Sequence, residues 1–127
     1  MTRTYVLLTA VLLTAVACGN GSSTSPTPPG APGPSGATIT ILANGTLSPA
    51  NVDINVGQSV TFVNQDSRNH EMSSDPHPSH TDCPQIVVLT APGQTKLSNA
   101  LPTAKVCGLH DHLDPSNINL LGRVTVH

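Results

Sequence analysis

Short runs of alternating polar and apolar residues recur along the chain after residue 37. Residues 38–41 and 51–56 alternate in this way, and residues 59–62 resume the alternation after a turn at Gly57 and Gln58. A period of two is typical of a β-strand that buries one face. Residues 85–90 are mostly apolar without alternation and lie between Pro84 and Pro92, which predicts a strand buried within the fold.

Three shorter segments, residues 95–98, 104–109 and 121–126, are further strand candidates, and no segment has a convincing helical period. The pattern therefore predicts an all-β domain, a β-sandwich of about seven or eight strands. Its core must be aliphatic, because Phe62 is the only aromatic residue after residue 36. A small aliphatic core gains from a covalent or metal crosslink.

The first 36 residues differ in composition from the rest. Residues 1–18 combine Arg3 with an apolar run that ends at Cys18, and they resemble the signal peptide of bacterial lipoproteins, in which the cysteine is lipidated. Residues 19–36 consist almost wholly of Gly, Pro, Ser, Thr, Asn and Ala, which predicts a disordered tether. The folded domain is then residues 37–127. The resemblance implies a secreted protein, a periplasmic or surface lipoprotein with the outer membrane favoured, that contacts the membrane only through its lipid anchor.

Charge and cysteine content narrow the functional classes. The formal net charge is −2 and no basic stripe is present, which argues against a nucleic-acid partner. If Cys18 carries lipid, two of the three cysteines remain, Cys83 and Cys107. An even pair in an oxidising compartment predicts a disulfide that closes a loop of about two dozen residues. Alternatively, a free Cys107 thiolate is a metal ligand.

Five of the six histidines fall in two short clusters. His70, His77 and His80 form the first, and His110 and His112 form the second. Neutral imidazole is the commonest protein ligand for copper and zinc, so we predict a metal site built from all five.

Several neighbouring residues support this prediction. Side chains two apart on a strand share a face, so His110 and His112 are expected to bind one ion together. Pro76 and Pro78 restrict the loop around His77. Four acidic side chains are candidates to orient the imidazoles, with Asp111 favoured: Asp75, Asp82, Asp111 and Asp114.

The segment of residues 47–66, followed by His70, resembles the first half of a cupredoxin, and residues 121–126 resemble its last strand. The resemblance implies a Greek-key β-sandwich that binds copper, with His70 as the first ligand. One version of this site is a type 1 (blue) copper electron carrier that uses His70, Cys107 and His110 or His112. Two features depart from that version: the stretch from Cys107 to the last strand is longer than usual, and Cys83 competes for the thiol.

Two longer motifs, DPHPSHT at residues 75–81 and HDHL at residues 110–113, are similar to motifs of uncharacterised bacterial cupredoxin-like proteins. Members of that group often lack both cysteines, which favours a disulfide and an all-histidine copper site. The leading hypothesis is therefore a non-enzymatic, envelope-tethered copper-binding protein for storage, buffering or transfer, with a redox or copper-transfer protein as partner. The alternatives are the type 1 carrier, a small type 2 copper or zinc redox enzyme that uses Asp111 or Glu71 as its acid–base group, and a structural sandwich without metal.

Overall fold

A computed structural model describes residues 30–127, and all structural statements below concern this range. The predicted signal peptide, Cys18 and residues 19–29 of the predicted tether lie outside the described residues. Within residues 30–127 no helix is long and apolar enough to cross a membrane. The range contains one 3-10 helix, Ile118–Leu120, and nine strands: β1 (Ser35–Ile41), β2 (Leu47–Ser48), β3 (Asn51–Ile54), β4 (Ser59–Asn64), β5 (His70–Ser74), β6 (Val87–Thr90), β7 (Thr95–Leu97), β8 (Lys105–Asp111) and β9 (Gly122–Val126).

The strands form two sheets that pack as a sandwich. One sheet has the order β2-β1-β4-β7, and the other has the order β3-β9-β8-β5-β6. β1 runs parallel to β4 and β3 runs parallel to β9, whereas the remaining pairs are antiparallel. The prediction of an all-β sandwich is confirmed.

The core lies between the sheets and consists of apolar side chains that the strands of both sheets direct inward. Ile39 and Phe62 face inward from the first sheet, and Met72, Leu109 and Val124 face inward from the second. All five are at most 1% exposed. Each buried aliphatic or aromatic side chain contributes about 1.5–3 kcal/mol relative to an exposed one, so the sandwich is held mainly by this layer.

Four elements differ from the sequence prediction. The sequence does not predict β2, which has only two residues. It does not predict β5 either, because residues His70–Ser74 are mostly polar, yet β5 pairs with both β6 and β8. β6 is not fully buried: it lies at the sheet edge, so Val87 and Leu89 face outward and are about half exposed. β1 begins at Ser35, ahead of the predicted boundary at residue 37, because Pro34 and Gly33 already hydrogen-bond to Ser59.

Cys83 and Cys107 form a disulfide, as the cysteine count predicted. Cys107 lies in the middle of β8, and Cys83 follows the loop that leaves β5. Both residues are buried in the core. The bond therefore fixes the end of that loop to the central strands of the five-stranded sheet.

Replacement of both cysteines, Cys83→Ala with Cys107→Ala, should lower the free energy of unfolding by about 3 kcal/mol, because the bond closes a loop of 24 residues in the unfolded chain. Urea denaturation of the two proteins measures this difference. Equal midpoints and slopes would show that the crosslink does not stabilise the fold. Treatment of the unaltered protein with a reductant should reproduce the effect, whereas the double variant should not respond to it.

Candidate metal centre

β8 directs its side chains alternately to the two faces of the sheet. Cys107 and Leu109 belong to the core, so Gly108 and His110 face away from it. His112 follows directly after the end of β8. Its backbone N–H donates to the carbonyl of Glu71 on β5, so the alternation of side chains continues and His112 faces the same side as His110. The expectation that His110 and His112 share a face therefore agrees with the structure.

The loop of residues 75–82 covers this outer face. The N–H of Asp75 donates to the Gly108 carbonyl, and the N–H of Asp82 donates back to the Asp75 carbonyl. The Ser74 hydroxyl donates to the carbonyl of His80 and accepts from the N–H of Cys83. These bonds fix both ends of the loop, which therefore carries its histidines over β8.

Four histidines converge between this loop and β8: His77, His80, His110 and His112. One ring nitrogen from each lies within 4.8 Å of the others. Nitrogen ligands at about 2.0–2.1 Å from one ion lie at most about 4 Å apart, so small side-chain movements bring all four into a coordination sphere. The set fits a copper or zinc ion by its chemistry, since imidazole suits both metals.

His110 is held in one orientation by a carboxylate. Its Nδ1 donates to Asp75 Oδ1 at 2.7 Å. This bond leaves the lone pair of the neutral ring on Nε2, which is buried and has no hydrogen-bond partner within the described residues. A buried nitrogen without a partner is costly, so the arrangement indicates a ligand at that position.

Gly108 makes room for Asp75. A Cβ on Gly108 would collide with the Asp75 carboxylate. Only glycine at this position, two residues before His110, therefore lets the carboxylate lie against β8. From the sequence, Asp75 is only one of four acidic candidates, and no role is predicted for Gly108. A glycine inside a strand is a signal for close approach of another group, and it could have pointed to this contact.

His80 is oriented by the backbone rather than by a carboxylate. Its Nδ1 donates to the Ser74 carbonyl at 2.7 Å, which places the ring lone pair on Nε2. That Nε2 lies 2.8 Å from His112 Nδ1, which is therefore the donor of this bond. The two rings face each other through the nitrogens that would bind metal. His80 also has a positive φ of 51°, which turns the loop back toward β8.

His77 lies on the solvent side of the cluster. Its ring centroid is 5.4 Å from that of His110 and 4.9 Å from that of His112. Partial desolvation lowers the pKa of His77 below its ordinary value of 6.5, and the charges that His112, His110 and His80 acquire on protonation lower it further. His77 therefore stays neutral, the form that binds metal, to a lower pH than an isolated histidine.

His70 is not part of this cluster, although the sequence analysis placed it there. It faces the core side of the sheet, where its Nδ1 lies 2.8 Å from Asp111 Oδ2 and its Nε2 lies 3.0 Å from Asp66 Oδ2. Both ring nitrogens therefore lie within hydrogen-bond distance of a carboxylate oxygen, one from the loop before β5 and one from the end of β8. Neither nitrogen is therefore available to the cluster, and the side chain is only 2% exposed.

The two carboxylates beside His70 are well satisfied. Asp111 also accepts from the N–H groups of Glu71 and Leu113. Asp66 also accepts from the N–H of Ser67 and from the guanidinium of Arg68. The hydrogen bond from His70 is the largest cause that lowers the pKa of Asp66 below its ordinary value of 3.8. His70 contacts both carboxylates, and the Arg68 guanidinium contacts that of Asp66.

Two further expectations need correction. Asp111 does not orient a histidine of the cluster: it lies on the opposite face of β8 and binds His70, which also removes it as an acid–base group for the cluster. Cys107 is not available as a metal ligand, because its sulfur is bonded to Cys83 and it faces the core. Residues 30–127 therefore do not supply the thiolate that a type 1 site requires.

Comparison with solved structures identifies the fold. A purple cupredoxin from Nitrosopumilus maritimus aligns with a TM-score of 0.55 and 24% identity over 72% of this chain and 99% of that chain. The domain has a cupredoxin-like fold. A fern plastocyanin mutant aligns with a TM-score of 0.55 and 15% identity, over 71% of this chain and 99% of the plastocyanin.

The same fold occurs within a larger chain. A Cu-containing nitrite reductase from Thermus scotoductus aligns with a TM-score of 0.55 and 16% identity over 72% of this cupredoxin-like chain, but over only 22% of the reductase. No protein-family profile and no curated protein matches the sequence. At these identities the comparisons show the fold alone.

Asp66→Asn should lower the free energy of unfolding at neutral pH, because it replaces a carboxylate that accepts from His70 and Arg68. The folded-state pKa of Asp66 lies below the unfolded value, so its ionisation stabilises the fold fully above about pH 3.8 and ceases to do so as the pH falls through the folded-state pKa. Denaturant titrations as a function of pH should show the gap between variant and unaltered protein narrowing in that acidic window. Asp53→Asn, which affects the exposed His127–Asp53 pair, is the control and should produce no comparable gap.

Gly108→Ala should weaken metal binding by about 10–100-fold, because its methyl group displaces the carboxylate that orients His110. Competition with a chelator measures the affinity, and Asp75→Asn should weaken binding in the same direction. Unchanged affinity in both variants would show that the Asp75–His110 bond does not tune the site.

Proposed function

We propose that this cupredoxin-like protein binds copper through His77, His80, His110 and His112, as a non-enzymatic protein that stores, buffers or transfers the ion. The single observation that supports this most strongly is the buried His110 Nε2. This nitrogen has no hydrogen-bond partner among residues 30–127, it carries the ring lone pair, and three other imidazoles converge on the same place.

Copper is preferred to zinc on two grounds. Among divalent ions of the first transition row, Cu(II) binds a given set of nitrogen ligands most tightly. The solved structures that share this fold include a copper-containing enzyme by its printed name. Four imidazoles without a thiolate favour Cu(II), and the loaded protein is expected to be nearly colourless rather than intensely blue.

Each residue of the proposed site has a distinct part. Asp75 holds His110 and the Ser74 carbonyl holds His80, so that both present Nε2 to the ion. His112 donates its Nδ1 proton to His80 in the metal-free cluster, so binding requires that this proton leave or move to Nε2 of the same ring. His77 completes the set from the solvent side.

The proposed location is the cell envelope, with membrane contact through a lipid anchor at Cys18. The Cys83–Cys107 disulfide supports an oxidising compartment, because such bonds are rare in the cytosol. The anchor and the tether remain predictions from sequence. The proposed partners are the metal ion and a protein that donates or accepts copper.

The test is the binding of Cu(II) to the full chain. The unaltered protein should take up one Cu(II) with a weak visible absorption and a nitrogen-rich electron paramagnetic resonance spectrum. His110→Ala should weaken binding by about 100-fold or more, since loss of a fixed ligand costs at least as much as loss of a residue that orients one.

His127→Ala is the matched control. His127 is exposed and pairs with Asp53 away from the cluster, so its removal should leave both affinity and spectrum unchanged. Equal affinity in the His110→Ala and His127→Ala variants would refute the proposed site. An intense thiolate charge-transfer band would support the type 1 alternative instead.

A further inference from the structure

The four histidines of the cluster are not held equally. His80 donates to the Ser74 carbonyl, and His110 donates to Asp75. His112 is fixed through its backbone N–H to Glu71 and through its ring to His80. Within the described residues, no hydrogen bond involves either ring nitrogen of His77.

His77 also differs in its surroundings. It is exposed, whereas His110 is buried and His80 and His112 are half buried. The prolines on both sides of His77 restrict its backbone but do not restrict rotation of its side chain about χ1 and χ2. The ring is therefore the one member of the cluster that can turn into solvent without breaking a hydrogen bond of the protein.

We propose that His77 is the exchangeable ligand, and that its position is where a nitrogen donor of a copper acceptor binds first during transfer. This inference rests on the proposed function and favours transfer over storage. In the first step the bond between His77 and the ion breaks while a bond between the acceptor's nitrogen and the ion forms. No electron moves, the ion keeps its oxidation state, and the His77 ring becomes free and neutral.

The remaining histidines release the ion in an order that depends on the hydrogen bonds available to each of them afterwards. His112 and His80 can regain their mutual hydrogen bond once they release the ion, so the protein compensates for their loss. His110 Nε2 has no hydrogen-bond partner to return to in the described part of the chain, and His110 is the most buried of the four, so we expect it to release the ion last. The rate of transfer by this route depends on the acceptor, because the acceptor's nitrogen must bind the ion before His80, His110 and His112 release it.

The experiment follows the transfer of Cu(II) from the loaded full chain to the chelator 4-(2-pyridylazo)resorcinol. For the unaltered protein the transfer rate should rise in proportion to the chelator concentration. A rate independent of chelator concentration would overturn the inference, since it would mean that the ion dissociates before the acceptor binds.

Variants locate the exchangeable position. His77→Ala should retain stoichiometric Cu(II) with an affinity loss of only about tenfold, because an unconstrained ring must be ordered on binding and so contributes less. It should transfer copper faster than the unaltered protein. Added imidazole should restore the unaltered electron paramagnetic resonance spectrum to His77→Ala.

His110→Ala provides the comparison and His127→Ala the control. His110→Ala should lose far more affinity, and imidazole should not restore its spectrum at the concentration that restores His77→Ala, because the loop of residues 75–82 covers that position. An equally large affinity loss in the His77 and His110 variants would overturn the inference and leave the four-histidine site intact. Failure of the unaltered protein to take up Cu(II) would overturn the proposed function as well.

Discussion

The alternation of side chains along β8 is the constraint on which both chemical features of the domain depend. Successive residues of a strand face opposite sides of the sheet, so His110 and His112 lie on one side and Asp111 lies on the other. The antiparallel pairing with β5 sets what each side meets. Ser73 lies opposite His110, and Met72 lies opposite Asp111 beside the core. A shift of one residue in this register would exchange the two environments and destroy both.

On the core side, the strand buries acidic side chains that are hydrogen-bonded to several donors. Asp66, His70 and Asp111 form a chain of hydrogen bonds that ties the loop before β5 to the end of β8. Buried charges are costly when unpaired, and here every carboxylate accepts from several donors. The exposed Arg68 places its positive charge beside Asp66. This network stiffens the end of β8 from which the two outer histidines project.

On the outer side, two buried polar atoms have no hydrogen-bond partner among the described residues: His110 Nε2 and Ser73 Oγ, which lies on the neighbouring strand. The Ser74 carbonyl and Asp75 fix the tautomers of His80 and His110, and both rings then present a lone pair inward. The disulfide and the bonds around Ser74 hold the loop of residues 75–82 in place from its far end. A site assembled in this way is largely preorganised, which lowers the entropic cost of binding. The cupredoxin-like sandwich thus acts as a rigid support for a site on the outer face of one of its sheets.

The polar and apolar pattern was sufficient for the fold class, because period-two alternation at residues 38–41, 51–56 and 59–62 depends only on which side chains can be buried. The even pair of cysteines likewise predicted the disulfide, and the spacing of His110 and His112 predicted their common face. The pattern missed β2, which is only two residues long, and β5, whose residues are mostly polar and whose pairing is specified by its neighbours. It also could not separate His70 from the other histidines. Ligand choice depends on which face of a sheet each loop covers and on which carboxylate reaches which ring. Those contacts join residues up to 41 positions apart, as His70 and Asp111 are, and only the tertiary structure fixes such distances.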